Sequence, residues 1–458
     1  MLTKLNLEEI LFMALSTGGD FAEIFIEDAN GTTVGCEDNK IERIVTGNSH
    51  GAGIRVIKDK TVSYACTTNL TLKNMLKTAR QAASGFSGKA KDIKFELVPK
   101  VADKLITIRR RPSEVVIDEK VALVETLNKT ARSFGDKVVQ VTARYIDSNQ
   151  GVTIANSEGA YVEDNRIRTR FFVNVIVTNG TILQTGYEAP GGTVGFELIE
   201  EFHPEKLARS ATERALLMLE APHAPAGKMP VVLHSSAGGT MIHEACGHAL
   251  EADFILKKTS IFGGKVGKQV ASPLITVIDD ATIPGKYGTY NFDDEGNVGQ
   301  KTILIENGIL KGFMADKYNA RQLGIRETGN GRRESYLSKP VPRMTNTIIA
   351  PGKTDPDEIV TSIDNGLLVK HMGGGEVNVT NGDFVFDVTE GYLVEKGKIK
   401  GPIRGAILTG NGPKVLEIID LVGSDLGYQT GVCGKFDHAP VGDAQPTIRI
   451  PEIVVGGR

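Results

Sequence analysis

Residue types that bind metals or transfer protons cluster at 243–248, in the segment HEACGHALEAD. His243 and His248 offer imidazole nitrogens, Glu244 a carboxylate and Cys246 a thiol. In the zinc-protease motif H-E-x-x-H, the two histidines are four residues apart and share one face of an α-helix. Here they are five apart, and five residues of α-helix turn about 500°, which leaves the two imidazoles ~140° apart. A π-helical turn returns residues i and i+5 to one face, so a shared metal predicts a π-bulge here.

A metal site at this cluster needs a third ligand. Catalytic zinc usually takes three protein ligands and keeps one position for water. His243 and His248 would provide two, and Glu244 is placed as the general base is in H-E-x-x-H enzymes. Cys433 is favoured as the third, because glycines flank it in a segment that looks like a loop and would let its thiolate approach a partner. The spacing leaves the choice open among Cys246, Glu251, Asp253, Cys433 and His438.

Two further segments are candidates for contact with a substrate. In TGNGRRESYLSKPVPRMTNT, the polar side chains that could hold a substrate backbone or a terminal carboxylate are Arg332, Arg333, Arg343 and Asn346. A guanidinium matches a carboxylate bidentately, although these residues could instead support a loop or a subunit interface. The segment HMGGGEVNV lacks the Lys-Ser/Thr of a phosphate loop, so Gly373 to Gly375 indicate a tight turn or a close backbone approach to an extended peptide.

The surrounding pattern predicts an α+β fold. The first half alternates strand-like segments such as FAEIFIED with helical ones such as EKVALVETLNKTARSFG. The second half has many short strand-like segments separated by Gly and Asn-Gly turns. The Pro- and Gly-rich segment PHAPAGKMP marks a boundary. We therefore expect an N-terminal mixed α/β domain over residues 1–222, serving oligomerisation or substrate access, and a C-terminal, mainly antiparallel β domain over residues 226–458 that carries the zinc-site helix.

The composition excludes several classes of function. The 458 residues carry a net charge of −3 and no long basic run, which argues against nucleic acid as a partner. No segment approaches the ~20 apolar residues of a membrane span, and the N-terminus reads as an amphipathic helix rather than a signal peptide. Four cysteines are too few for a disulfide framework. These features predict a soluble, cytoplasmic protein without a membrane partner.

Several segments together resemble the TldD branch of the TldD/PmbA metalloprotease family. They are HEACGHALEADF, GNGRRESY, PVPRMTNT, DFVFDVTEGYLVEKGKIKGPI, GVCGK and PVGDAQPTIRI, and the likeness is strongest from residue 226 to the C-terminus. The resemblance implies that His243, His248 and Cys433 bind Zn²⁺ and that Glu244 is catalytic. It also implies a dimer, either with a second copy or with a PmbA-like paralogue. Cys246 departs from the family pattern, which has a small apolar residue there.

The favoured function is a zinc-dependent metallopeptidase that hydrolyses unfolded or short extended peptides, with Glu244 assisting the attack of a zinc-bound water. Such a peptide could add as a strand to a sheet edge, where main-chain hydrogen bonds give affinity with little sequence preference. The alternative is a noncatalytic regulatory or binding subunit of a TldD/PmbA-type complex, in which the zinc is structural. A structural site needs no base, so the presence of Glu244 favours the enzyme.

Overall fold

The computed structural model describes residues 2–102 and 106–457 and has the α+β fold that the sequence predicts. Residues 21–192 form one sheet, with strands β1 (Phe21–Glu37), β2 (Lys40–Lys58), β3 (Thr61–Thr67), β4 (Val98–Pro99), β5 (Val138–Asn156), β6 (Ala160–Thr178), β7 (Leu183–Glu188) and β8 (Gly191–Gly192). The strand order is β3-β2-β1-β5-β6-β4, with β7 and β8 also paired to β6. Only the short β4 pairs in parallel among these described strands.

Helices cover one face of this sheet. They are α1 (Lys4–Ala14), α2 (Leu72–Ala83), α3 (Ile117–Arg132), α4 (Leu198–Glu201) and α5 (Pro204–Glu220). Because side chains alternate along a strand, Val141 and Ala143 of β5 pack with the apolar sides of α3 and α5. On the same strand, Val152 and Ile154 point to the opposite face and cluster with aromatic residues of the second half of the chain. The face without helices therefore lies against the second half.

The second half is built from three further sheets. Its strands are β9 (Gly227–Leu233), β10 (Val277–Asp280), β11 (Lys301–Glu306), β12 (Ile309–Leu310), β13 (Gly331–Arg332), β14 (Val341–Pro342), β15 (Asn346–Ile349), β16 (Asn365–Val377), β17 (Asp383–Glu395), β18 (Lys398–Ile403), β19 (Ala406–Asn411), β20 (Leu421–Val422), β21 (Gly427–Gly434), β22 (His438–Gln445) and β23 (Ile448–Gly457). One sheet has the order β12-β11-β10-β15-β22-β21, and another has β16-β9-β23-β19-β17-β18 with β20 beside β23. Strands β13 and β14 pair alone.

Short helices connect these sheets: α6 (Thr240–Ile242), α7 (Ala252–Leu256), α8 (Lys317–Leu323), α9 (Pro356–Thr361) and α10 (Gly412–Ile418). None of the described helices combines the length and apolar character that a membrane span requires.

The helical segment at residues 240–250 lies in the core of the second half. It starts as α6, continues as a π-helical turn at His243–Gly247 and ends as a 3-10 turn at His248–Leu250. The π turn that the histidine spacing predicts is therefore confirmed. Its apolar side chains join the large core cluster with residues of both main sheets. At Gly247, a Cβ atom would lie 2.3 Å from the sulfur of Met344, so the absence of a side chain lets the two segments approach closely.

Two local expectations need correction. Cys433 lies in strand β21, opposite Ala439 of β22, and not in a loop. Gly373 to Gly375 lie inside β16, where the pairing with β17 shifts register, so the expected tight turn is absent there. The alternative expectation, a close approach to an extended peptide, stays a prediction. Within the chain, a Cβ at Gly375 would lie 1.9 Å from the ring of Phe386, so the absence of a side chain there lets this ring pack against the backbone.

Candidate metal centre

The π turn brings two imidazoles and a thiol together. His243 and His248 have ring centroids 4.9 Å apart, and the Nε2 atom of each lies 3.3 Å from the Cys433 Sγ atom. One ligand atom from each of the three residues falls within 4.8 Å of the other two. The histidines come from the helical segment and the thiol from strand β21, about 190 residues away along the chain. The fold thus joins groups that the sequence keeps far apart.

Each imidazole is oriented by a carboxylate on its far side. His243 Nδ1 lies 2.7 Å from Asp443 Oδ1, and His248 Nδ1 lies 3.2 Å from Glu251 Oε2. Lys435 donates to Glu251 at 2.9 Å and so neutralises a fully buried carboxylate. These contacts occupy the Nδ1 atoms and leave both Nε2 atoms facing the thiol. A carboxylate behind each histidine is the usual arrangement in metal sites.

The electrostatics favour a thiolate at Cys433. Burial opposes its ionisation, but hydrogen bonds with His243 and His248 outweigh burial and lower the pKa of Cys433 to about 5. The thiolate is the form that binds metals. Two imidazoles and one thiolate, with both outer nitrogens already bonded, suit zinc. The residues present therefore fit the ion that the sequence implies.

The remaining candidates for a third ligand lie elsewhere. Cys246 donates its thiol to the Ile242 carbonyl at 3.6 Å, and burial raises the pKa of that thiol. Glu251 supports His248, as described above. Asp253 accepts from Lys435 at 2.6 Å, and His438 is largely exposed beside Glu334. Of the five candidates, Cys433 is the one grouped with both histidines.

Glu244 lies beside this group without a fixed partner. Its half-buried carboxylate forms no hydrogen bond or ion pair with the residues that the structure describes. Burial raises the pKa of Glu244, and the imidazoles of His243 and His248 partly offset that rise. A carboxylate next to such a group and not held by other residues is available to exchange a proton.

The four predicted substrate-binding residues are buried and hold other parts of the protein. Arg343 donates to Asp437 Oδ1 and to the Cys433 carbonyl, both at 2.6 Å, and so fixes the backbone that carries the thiol. Arg332 donates to the Met344 carbonyl at 2.5 Å. Arg333 pairs with Glu23, and Asn346 donates to the Asp280 carbonyl at 2.7 Å. Their predicted contact with substrate stays a prediction.

Three supporting residues carried no signal in the sequence. Asp443 belongs to PVGDAQPTIRI, which gave the family likeness but no role for this residue. Lys435 and Asp437 lie in a short turn between β21 and β22. Their partners are Glu251 and Arg343, 184 and 94 residues away, so no spacing pattern could have paired them.

Comparison with known proteins places the chain among metallopeptidases. The PmbA/TldA metallopeptidase family models match in three parts: domain 1 at residues 22–85, the central domain at 110–219 and the C-terminal domain at 226–457. A Haemophilus influenzae protein named "Metalloprotease TldD homolog" is 37% identical over 452 residues, covering 96% of this chain and 93% of the relative. A Methanothermobacter thermautotrophicus protein named "Metalloprotease" is 34% identical and covers 98% of each chain.

Solved structures show the same fold. A Thermotoga maritima protein described as a candidate modulator of a DNA gyrase has a TM-score of 0.81 at 23% identity, with 99% of this chain and 100% of that chain covered. TldE from Thermococcus kodakarensis has a TM-score of 0.77 at 22% identity, with 99% and 100% covered. The shared architecture extends over the whole chain.

Proposed function

Because this chain belongs to the TldD/PmbA family of metallopeptidases, we propose that it hydrolyses peptide bonds of unfolded or short extended peptides at a zinc ion held by His243, His248 and Cys433. One observation carries the proposal. Two imidazoles, each held by a carboxylate, point the other nitrogen at one thiol. The Glu244 carboxylate, which has no hydrogen-bond partner among the described residues, lies beside them. A purely structural site would have no use for Glu244.

Bound zinc would supply Lewis acidity, which makes a water nucleophilic near neutral pH and polarises a carbonyl. Glu244 accepts the proton of the attacking water and then delivers it to the leaving nitrogen. Its raised pKa suits this double role, because a carboxylate that holds a proton more firmly is a better base. Asp443 and Glu251 keep the imidazoles in one tautomer and one orientation.

Strand β21 offers a place for the peptide. It ends the order of its sheet among the described strands and pairs there with β22 alone, so its outer edge can accept another strand. The same strand carries Cys433. A peptide aligned along this edge would be held by main-chain hydrogen bonds, which are independent of side-chain sequence.

The assembly and the domains complete the proposal. A dimer, with a second copy or with a PmbA-like paralogue, would enclose the site, and residues 1–222 would serve that assembly while residues 226–458 carry the chemistry. The Thermococcus kodakarensis TldE structure supports a paralogue with this architecture. Native mass measurement of the assembly from its own cells separates the two kinds of dimer.

The Glu244→Gln variant tests the enzyme against the noncatalytic alternative. The substitution removes the base but no proposed ligand, so we expect zinc content near that of the wild type and cleavage of a denatured protein reduced by at least ~100-fold. Zinc is measured by elemental analysis and cleavage by mass spectrometry, before and after chelation and again after zinc is restored. Full activity in this variant would contradict the role of Glu244. Bound zinc without cleavage by the wild type would favour the noncatalytic subunit.

A further inference from the structure

A cavity of about 360 Å³ lies where the sheet of the first half faces the β21–β22 hairpin. One wall is the helix-free face of the first sheet. Arg166 and Arg168 are two residues apart on β6, so both point to this face, and their partners on β5 are Gln150 and Ser148. All four residues line the cavity. The other wall belongs to the second half of the chain and includes Tyr287, Arg332 and Val432.

Most charges around this cavity are already paired. Arg166 forms ion pairs with Asp294 and Asp164, and Arg333 pairs with Glu23. Asp293 and Asp294, which also line the cavity, accept hydrogen bonds from backbone amides in and next to β13. These groups therefore form a closed network.

Arg168 has no place in that network. Its side chain is only 7% exposed, and it makes no hydrogen bond or ion pair with the described part of the chain. Burial and the nearby guanidinium groups of Arg166 and Arg332 lower the pKa of Arg168 to about 10, because the Asp294 carboxylate, which is already paired with Arg166, offsets them only in part. Arg332, on the facing wall, donates to one carbonyl and lies over the Tyr290 ring, and it forms no ion pair with a carboxylate in the described ranges 2–102 and 106–457. A buried cation without a counter-ion is costly, which indicates that an anion belongs here.

The shape and surroundings identify the kind of anion. A guanidinium presents a planar pair of donors that matches a carboxylate. Glu27 and Glu334 also line the cavity, and their negative charge disfavours a doubly charged group such as phosphate. Val432 and Pro440 add apolar surface for the carbon atoms next to a carboxylate. The volume lies at the lower end of the range for small-molecule pockets.

We propose that Arg168, with Arg332 opposite, binds a carboxylate of the peptide substrate, supplied by a free C-terminus or by an Asp or Glu side chain. The identity of the ligand as a peptide rests on the proposed peptidase function. Val432 lines the cavity, and the next residue, Cys433, faces the metal centre. Because consecutive side chains of a strand point to opposite faces, Val432 faces the cavity and Cys433 faces the metal centre from opposite sides of β21. A peptide added along the β21 edge presents its own side chains alternately to these two faces, so the bound carboxylate would belong to a residue next to the one at the metal centre and would add to main-chain recognition.

Small-molecule binding tests the cavity without any cleavage. N-acetylglycine, N-acetylglycinamide and inorganic phosphate are titrated calorimetrically into the full-length protein and into the Arg168→Gln and Arg144→Gln variants. Arg144 is an exposed arginine on β5 outside the cavity, so its variant controls for loss of one positive charge. We expect N-acetylglycine to bind the wild type and Arg144→Gln equally, and Arg168→Gln about tenfold more weakly. A carboxylate bound to the metal would not depend on Arg168. Equal binding by all three proteins, or tighter binding of phosphate than of N-acetylglycine, overturns the proposal.

Thermal melting separates a ligand-binding arginine from a structural one. Because Arg168→Gln removes an unpaired buried charge, we expect it to melt no lower than the wild type without ligand. A large drop in melting temperature, or failure to fold, would show a structural role and contradict the proposal. Arg168→Lys keeps the charge but loses the paired donors of the guanidinium. Its affinity for N-acetylglycine should therefore fall between those of the wild type and Arg168→Gln.

Peptide kinetics then identify the source of the carboxylate. A short peptide is compared with its C-terminal amide, and the amide with a version that carries an internal Asp. A lower KM for the free acid than for the amide, lost in Arg168→Gln, assigns the cavity to the chain end. A lower KM for the Asp-containing amide assigns it to an acidic side chain. If no peptide is cleaved, the peptidase proposal fails, while Arg168-dependent binding of N-acetylglycine still stands.

Discussion

Two buried cysteines near the candidate metal centre differ in what surrounds them. The Cys433 thiol lies within 3.3 Å of two imidazole nitrogens, whereas the Cys246 thiol contacts a carbonyl of its own helical segment. We expect Cys433→Ser to lose most of its zinc at neutral pH, because an alkoxide forms far less readily than a thiolate. Cys246→Ser should keep the metal, with at most a modest loss of stability. Zinc content after dialysis against a weak chelator compares the two variants, and the reverse ranking would make Cys246 the ligand.

The residues of the site differ in how far the sequence could identify them. The spacing of His243 and His248 implied a π turn, because only that geometry lets them share a metal, and the structure contains it. Cys433 was one of five candidates by spacing, and family likeness singled it out. Asp443 gave no signal, because it reaches His243 only through the pairing of strands distant in sequence. Spacing within a segment predicts the geometry of that segment. Contacts between residues far apart in sequence can be identified only once the fold is known.

Among the structural elements that pack against the π turn, α10 makes a close backbone approach to it. Gly412 begins this helix, and a Cβ atom there would lie 2.4 Å from the carbonyl oxygen of Ala245, inside the π turn. Backbone atoms cannot move aside as a flexible side chain can, so Gly412→Ala must displace either the helix or the turn. The position of the histidines therefore depends on the absence of a side chain on a neighbouring helix.

We expect Gly412→Ala to lower the free energy of unfolding by about 1–3 kcal/mol and to weaken zinc binding by on the order of tenfold. Gly401→Ala is the matched control, because a Cβ atom there meets no other atom within 4 Å. Chemical denaturation and zinc competition titration measure both effects. Wild-type zinc affinity in Gly412→Ala would show that the π turn holds its geometry without α10.

The sequence predicted which segments form helices or strands more readily than it predicted which strands pair with each other. Apolar spacing and a terminal glycine predicted the helix at Ile117–Arg132, and the strand-like segment FAEIFIED predicted the strand that begins at Phe21. Cys433 was expected in a loop because glycines flank it, yet strand β21 continues to Gly434. Pairing with β22 supplies main-chain hydrogen bonds that outweigh the weak strand preference of glycine. Tertiary pairing decided the structure where local preference was weak.

At the scale of the whole molecule, the candidate metal centre is buried. His243 is 5% exposed and Cys433 is 7% exposed, and both lie in the core of the second half. The helix-free face of the first sheet approaches β21 across the cavity of Arg168. We expect a single extended strand to reach the thiol and imidazoles along the edge of β21, whereas a folded domain could not bring its backbone to them. Access should therefore depend on the state of the substrate chain.

We expect a denatured, alkylated protein to be cut at many positions and the same protein in its native fold to remain uncut. Main-chain recognition along β21 tolerates most side chains, so no strict sequence motif should appear, although bonds near a free carboxylate should be cut faster. Both digests are read by mass spectrometry, with the Glu244→Gln variant run in parallel to reveal any contaminating protease. Equal cutting of the two forms would contradict a narrow groove. A single strict cleavage motif would contradict recognition led by the main chain, because main-chain hydrogen bonds are the same at every residue except proline.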